Sequence, residues 1–158
     1  MTVAHRVRVF WDETDAGVRP AVSSEELAAF EASHDCVLPA SVAGFYLTAN
    51  GMMMDGELFV AWPLAEVGPV PITVAPFHRI PNYGTIVDTL PDAKDYFAFG
   101  DCMMWSQVFA VRILPAEAGT PVLWISGDTF IQVANSFDEF WETYLRDPWS
   151  VLWALSAK

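Results

Sequence analysis

Leu38-Pro39-Ala40-Ser41-Val42-Ala43-Gly44-Phe45-Tyr46-Leu47-Thr48-Ala49-Asn50-Gly51 is the stretch on which the fold turns. Pro39 suits a first helical turn, where an amide hydrogen lacks a partner anyway. Val42, Phe45, Tyr46 and Ala49 recur at helical spacing and make one apolar face. Asn50 and Gly51 tolerate the left-handed backbone that ends a helix. The stretch therefore reads as a short helix that packs by its aromatic pair.

Working outward, Ser23 and Glu26 form a capping box, and Val22 can staple to Leu27 across the helix start. Leu27 and Phe30 supply the inward stripe, with His34 one turn on. This helix and the Pro39 helix are joined closely enough to pack as a pair. Further upstream, Val3, Val7, Val9, Phe10 and Trp11 predict an extended segment, and Asp12 to Pro20 a polar connection. Downstream, strands are expected over Leu58–Trp62, Tyr96–Phe99, Val108–Ile113, Val122–Ser126 and Thr129–Val133. Gly100 and Asp101 should end the second of these. Gly127-Asp128 is a good two-residue hairpin connection. The proline-rich span Gly68 to Thr89 is expected to be irregular. Ser136 and Glu139 repeat the capping box, and Phe137, Phe140, Trp141, Tyr144 and Leu145 match the i, i+3, i+4, i+7, i+8 template. Asp147 and Pro148 stop this helix and start a last one, with Trp149, Leu152 and Trp153 on one face. The order predicts a single α+β domain over 1–158. Its sheet of about five or six strands should be antiparallel or mixed, flanked by an N-terminal helix pair and C-terminal helices.

Composition narrows the function. The 158 residues are 53% apolar and 14% aromatic, with a formal charge of -12. Such a chain is too apolar for disorder. Its charge repels nucleic acid and anionic membrane and attracts basic partners over a Debye length of about 8 Å. No signal-peptide run opens the chain, and Val67–Phe77 is too short and too broken by proline to span a bilayer. The cytoplasm is the default location. Cys36 and Cys102, the two cysteines, form no C-x-x-C pair and are expected reduced and buried, Cys36 ahead of Leu38 in the core. His5, His34 and His78 make no zinc pair, and Asp88, Asp92 and Asp95 lack calcium-loop spacing. A thiol–base pair of Cys36 and His34 would need partners converging in space. No G-x-S-x-G elbow or phosphate-cradling glycine loop is present. No catalytic residue, metal or cofactor is expected.

Three blocks stand in order. The first is Leu38-Pro39 through Asn50-Gly51. The second is Phe97-Ala98-Phe99-Gly100-Asp101 with strand Val108 to Val111. The third runs from Pro121-Val122 through Ala134-Asn135-Ser136-Phe137-Asp138-Glu139-Phe140. Together they resemble the SUKH superfamily, which includes bacterial toxin-immunity proteins and a fungal cell-wall synthesis regulator. The resemblance covers roughly Ser23 to Leu145. It implies an α+β domain without catalysis that acts by binding a protein, often a polymorphic toxin. Two departures stand out. Cys102, Met103, Met104 and Trp105 occupy what is often a small glycine-rich turn, and Met52, Met53 and Met54 follow Gly51 where glycine is frequent.

These departures supply candidate contacts. Met adapts to irregular surfaces, and Trp is enriched at hot spots. Met52, Met53, Met54, Met103, Met104 and Trp105 therefore form either a partner-facing patch or core under loops. Asp55, Glu57, Glu66, Asp88, Asp92, Asp95 and Asp101 form either a solvated acidic surface or the counterpart of a basic partner, such as a nuclease toxin. Trp62, Phe77 and Tyr83 can line a groove. The partner-binding set is accordingly Asp55, Glu57, Trp62, Glu66, Tyr83, Asp101, Met103, Met104 and Trp105, with a basic protein toxin as the expected partner and occlusion as the mechanism. The alternative is a regulatory or scaffold module that binds a cellular protein or a small ligand.

Overall fold

A computed structural model describes Met1–Ala154; the last four residues of the expected domain, 155–158, lie outside the described residues. Three helices come first: α1 (Val3–Glu13), α2 (Ser24–His34) and α3 (Ala40–Tyr46). α1 corrects the extended segment expected at the N-terminus. Val3, Ala4, Val7 and Trp11 are its buried residues, at a spacing only a helix brings to one side. Thr2 caps it, its hydroxyl accepting from the His5 amide at 3.2 Å. The β-branched valines favour a strand locally, but burying Trp11 completely outweighs that preference.

α2 starts as expected, with Ser23 Oγ accepting from the Glu26 amide at 3.1 Å. α3 is shorter than the quoted stretch suggests. Pro39 is its N-cap and the helix ends at Tyr46. Asn50 instead ties two loops, its Oδ1 accepting from the Leu64 amide at 2.7 Å. Gly51, at φ +77°, lies against the next strand; a Cβ there would sit 2.3 Å from the Ala61 carbonyl oxygen.

The sheet is antiparallel throughout. Its strands are β1 (Phe59–Ala61), β2 (Gly68–Pro69), β3 (Tyr96–Cys102), β4 (Gln107–Arg112), β5 (Val122–Ser126) and β6 (Thr129–Ala134). They run β1-β3-β4-β5-β6, with β2 also on β3. Gly127, at φ +61°, turns the β5–β6 hairpin. Gly68 to Thr89 is less irregular than expected. It holds β2 and two single-turn helices, α4 (Val70–Thr73) and α5 (Ile86–Thr89).

β3 also runs further than expected, through Gly100 and Asp101 to Cys102. A bulge at Phe99 makes this possible, because the register passes from Ala98↔Ala110 directly to Gly100↔Phe109. One extra residue reverses the facing of everything after it. Phe99 packs on the helices, yet Asp101, two positions later, points to the opposite face.

α6 (Phe137–Arg146) and α7 (Trp149–Leu152) close the chain. The Ser136 hydroxyl accepts from the Glu139 amide at 3.1 Å, while the Glu139 carboxylate accepts from the Asn135 amide. Trp141 on α6 centres the core. It stacks on Phe45 at 4.6 Å and 8°, and meets Trp11 and Phe140 edge-on. α7 differs from expectation: Val151 and Leu152 are buried, whereas Trp149 is exposed. Gln107 fixes this helix by donating to the Leu152 carbonyl at 2.7 Å.

Candidate functional site at one end of the sheet

The start of β1 and the end of β3 pair through Phe59↔Cys102. Two loops project there: 53–58, which leads into β1, and 103–106, which joins β3 to β4. The Met103 amide donates to the Leu58 carbonyl at 3.0 Å, which ties the two loops together. Most of the predicted contact residues converge on this end.

On the face away from α6, Asp101 is nearly sealed from solvent. Its carboxylate accepts from Trp62 Nε1 at 2.7 Å and from the Trp105 amide at 3.2 Å. Burial holds the Asp101 carboxyl above the usual aspartate range. The two hydrogen bonds oppose that rise, and the charge of Glu66 adds to it. Trp105 stacks on Trp62 at 5.2 Å and on Phe77 at 4.9 Å. Tyr83 closes the group by donating its hydroxyl to the Trp105 carbonyl at 2.7 Å. Trp62 and Tyr83 are therefore buried supports, and the groove expected between Trp62, Phe77 and Tyr83 is filled by their own rings. The bulge is what brings Asp101 to them.

Above this stack the 103–106 loop carries three consecutive non-glycine residues in the left-handed region: Met103 at φ 48°, Met104 at 49° and Trp105 at 70°. The glycine-rich turn expected by resemblance is thus geometrically required but chemically replaced. An L-residue in this conformation costs about 1–2 kcal/mol. Met104 is 87% exposed, and Met53, Met54, Leu58 and Met103 are also exposed, whereas Met52 is buried in the core. Four of the six residues read as patch or core therefore face solvent, Met52 is core, and Trp105 is half-buried between.

On the α6 side, Asp55 and Glu57 are half-buried. Asp55 Oδ1 accepts from the amides of Glu57 and Phe59 at 2.8 and 2.9 Å. Its Oδ2 accepts from the Tyr144 hydroxyl, which accepts from Trp11 Nε1 at 2.9 Å. Burial and the adjacent Asp55 charge push the Tyr144 phenol well above its ordinary value, so it keeps the proton it donates. The same fields act on Cys102. Burial, then Asp55 and Asp101, push its thiol up to about 12. Cys36 is half-buried rather than in the core, and burial with Glu31 and Asp35 raises its thiol too, the opposite of nucleophile activation.

The remaining carboxylates lie elsewhere. Asp92 and Asp95 stand 3.5 and 3.6 Å from Arg112, and Asp88 is exposed. Among the described residues Asp92 and Asp95 are thus paired with a cation, whereas Asp55 and Glu57 at the loop end are not. Among the described residues no group of histidine, cysteine and carboxylate side chains is placed to hold a metal, and no helix is long and apolar enough to cross a membrane.

An antiparallel sheet packed against helices, with exposed apolar side chains at one end, defines a fold of the α+β class. Residues 21–143 match the model of the SMI1 / KNR4 family (SUKH-1), and the chain belongs to that family. A search of curated proteins finds no match. Sequence reading missed the part played by α1 and α6 at this site. The spacing of Val3, Val7 and Trp11 was the available signal.

Proposed function

We propose that this chain is an immunity-type protein that neutralises a cognate basic toxin by binding and occluding it, without turnover. Family membership supports a domain of the immunity or regulator type. The observation that carries the finer reading is the loop end itself, where exposed Met53, Met54, Leu58, Met103 and Met104 stand beside Asp55 and Glu57. Adaptable apolar side chains supply contact area, and carboxylates steer a basic partner towards it. A nuclease suits this pairing, because a protein that grips phosphates is itself basic.

The test is co-expression with the product of the adjacent reading frame, followed by co-purification. Rescue of growth and a stoichiometric complex are expected. Rescue lost in a Met103→Asp, Met104→Asp variant that still folds places the contact at this end. A neighbouring product that is neither toxic nor bound refutes the reading.

A further inference from the structure

Beside the methionine loops, a cleft of about 370 Å³ opens between α1 and α6. Its walls are apolar: Phe10 and Tyr144, edge to face at 6.0 Å, with Leu145 and Pro148. Its charged groups are the Asp55 and Glu57 carboxylates, and among the described residues no lysine or arginine lines it. Asp55 is held in place by two backbone amides and by Tyr144. Among the described residues the Glu57 side chain has no ion-pair partner. The rim includes Thr14, the C-cap of α1, whose last turn carries no basic residue to offset the negative end of the helix dipole.

The geometry points to a socket for one long cationic side chain, an arginine or lysine presented by the protein partner. The aliphatic stem would lie on Phe10, Leu145 and Pro148 while the charged head meets Glu57 and Asp55. Such side chains bury their methylenes and keep their charge at a polar site, which is the division this cleft offers. An anion is refused by both carboxylates and the helix end. A neutral apolar group would strip water from Asp55 and Glu57 without replacing it. The occupant being part of a protein rests on the function proposed above.

The test uses the isolated full chain and small probes: agmatine and n-butylammonium, against n-butanol and matched sodium chloride. In two-dimensional NMR titrations the two cations should shift the Gly56 amide and the Tyr144 ring saturably, with a dissociation constant on the order of 1–10 mM. Butanol and salt should not. Glu57→Gln should weaken agmatine at least about threefold, while Glu117→Gln, an exposed acid outside the cleft, should leave it unchanged. Shifts that never saturate, that butanol reproduces, or that survive Glu57→Gln overturn the socket. A chain that binds agmatine but protects no cell refutes the toxin reading alone; one that protects but ignores both cations refutes the socket alone.

Discussion

Replacing Tyr144 with phenylalanine removes one oxygen from the buried chain of donors that runs from Trp11 to Asp55. Trp11 is fully buried, so its Nε1, which donates to that oxygen at 2.9 Å, has no water to turn to. Leaving such a donor unpaired costs about 1–3 kcal/mol. Asp55 loses one of three donors, but its half-buried carboxylate can recruit solvent, so this adds about 1 kcal/mol. A loss of about 3 kcal/mol is expected, which for a chain of this length lowers Tm by roughly 6–12 °C. Calorimetry gives the shift, and urea titration should show an unchanged m-value. The cycle with Trp11→Phe isolates the pair: once the indole donor is gone, Tyr144→Phe should cost less by about 1 kcal/mol or more. A loss below about 0.5 kcal/mol, or strict additivity in the cycle, refutes the relay that holds Asp55 at the cleft.

Three further outcomes follow from the same end of the sheet. Met104→Gly relieves about 1–2 kcal/mol of left-handed strain against about 0.5–1 kcal/mol of added chain entropy. It should therefore raise stability slightly in chemical denaturation while weakening the partner complex; lower stability would refute the strain argument. Asp101 keeps its proton to higher pH in the folded than in the unfolded chain. Stability should therefore fall as pH climbs from about 4, the ordinary aspartate value, to the raised value, and level off above it. Asp101→Asn should remove that slope in melts across pH, so parallel curves for the two proteins would contradict the assignment. Finally, association with a basic partner should slow with added salt more than dissociation quickens, as stopped-flow mixing can show. Salt-independent association would make the acidity incidental to binding.

What the sequence revealed and what it hid follow one physical division. α6 was legible because Ser136, Glu139 and five apolar positions agree on one answer, and the β5–β6 hairpin because Gly127 meets a local backbone need that no distant contact can override. α1 was not, since its valines prefer a strand and only the tertiary burial of Trp11 decides otherwise. The bulge at Phe99 was equally hidden: nothing in Phe97-Ala98-Phe99-Gly100-Asp101 distinguishes an ending strand from one that inserts a residue and continues. That single insertion has the largest consequence for the site. It separates Asp101 from Phe99, gives the buried carboxylate to Trp62 and Trp105, and so anchors the loop on which Met103 and Met104 are exposed. Asp55 and Glu57 were legible as acids but not as the lining of a cleft, because the cleft's other wall comes from Phe10 on α1, a helix of eleven residues that the strand reading had made extended. Residue chemistry could be read along the chain; which residues share a face depended on parity, set by the bulge between neighbouring strands, and on burial, set by contacts as distant in sequence as Trp11 with Tyr144.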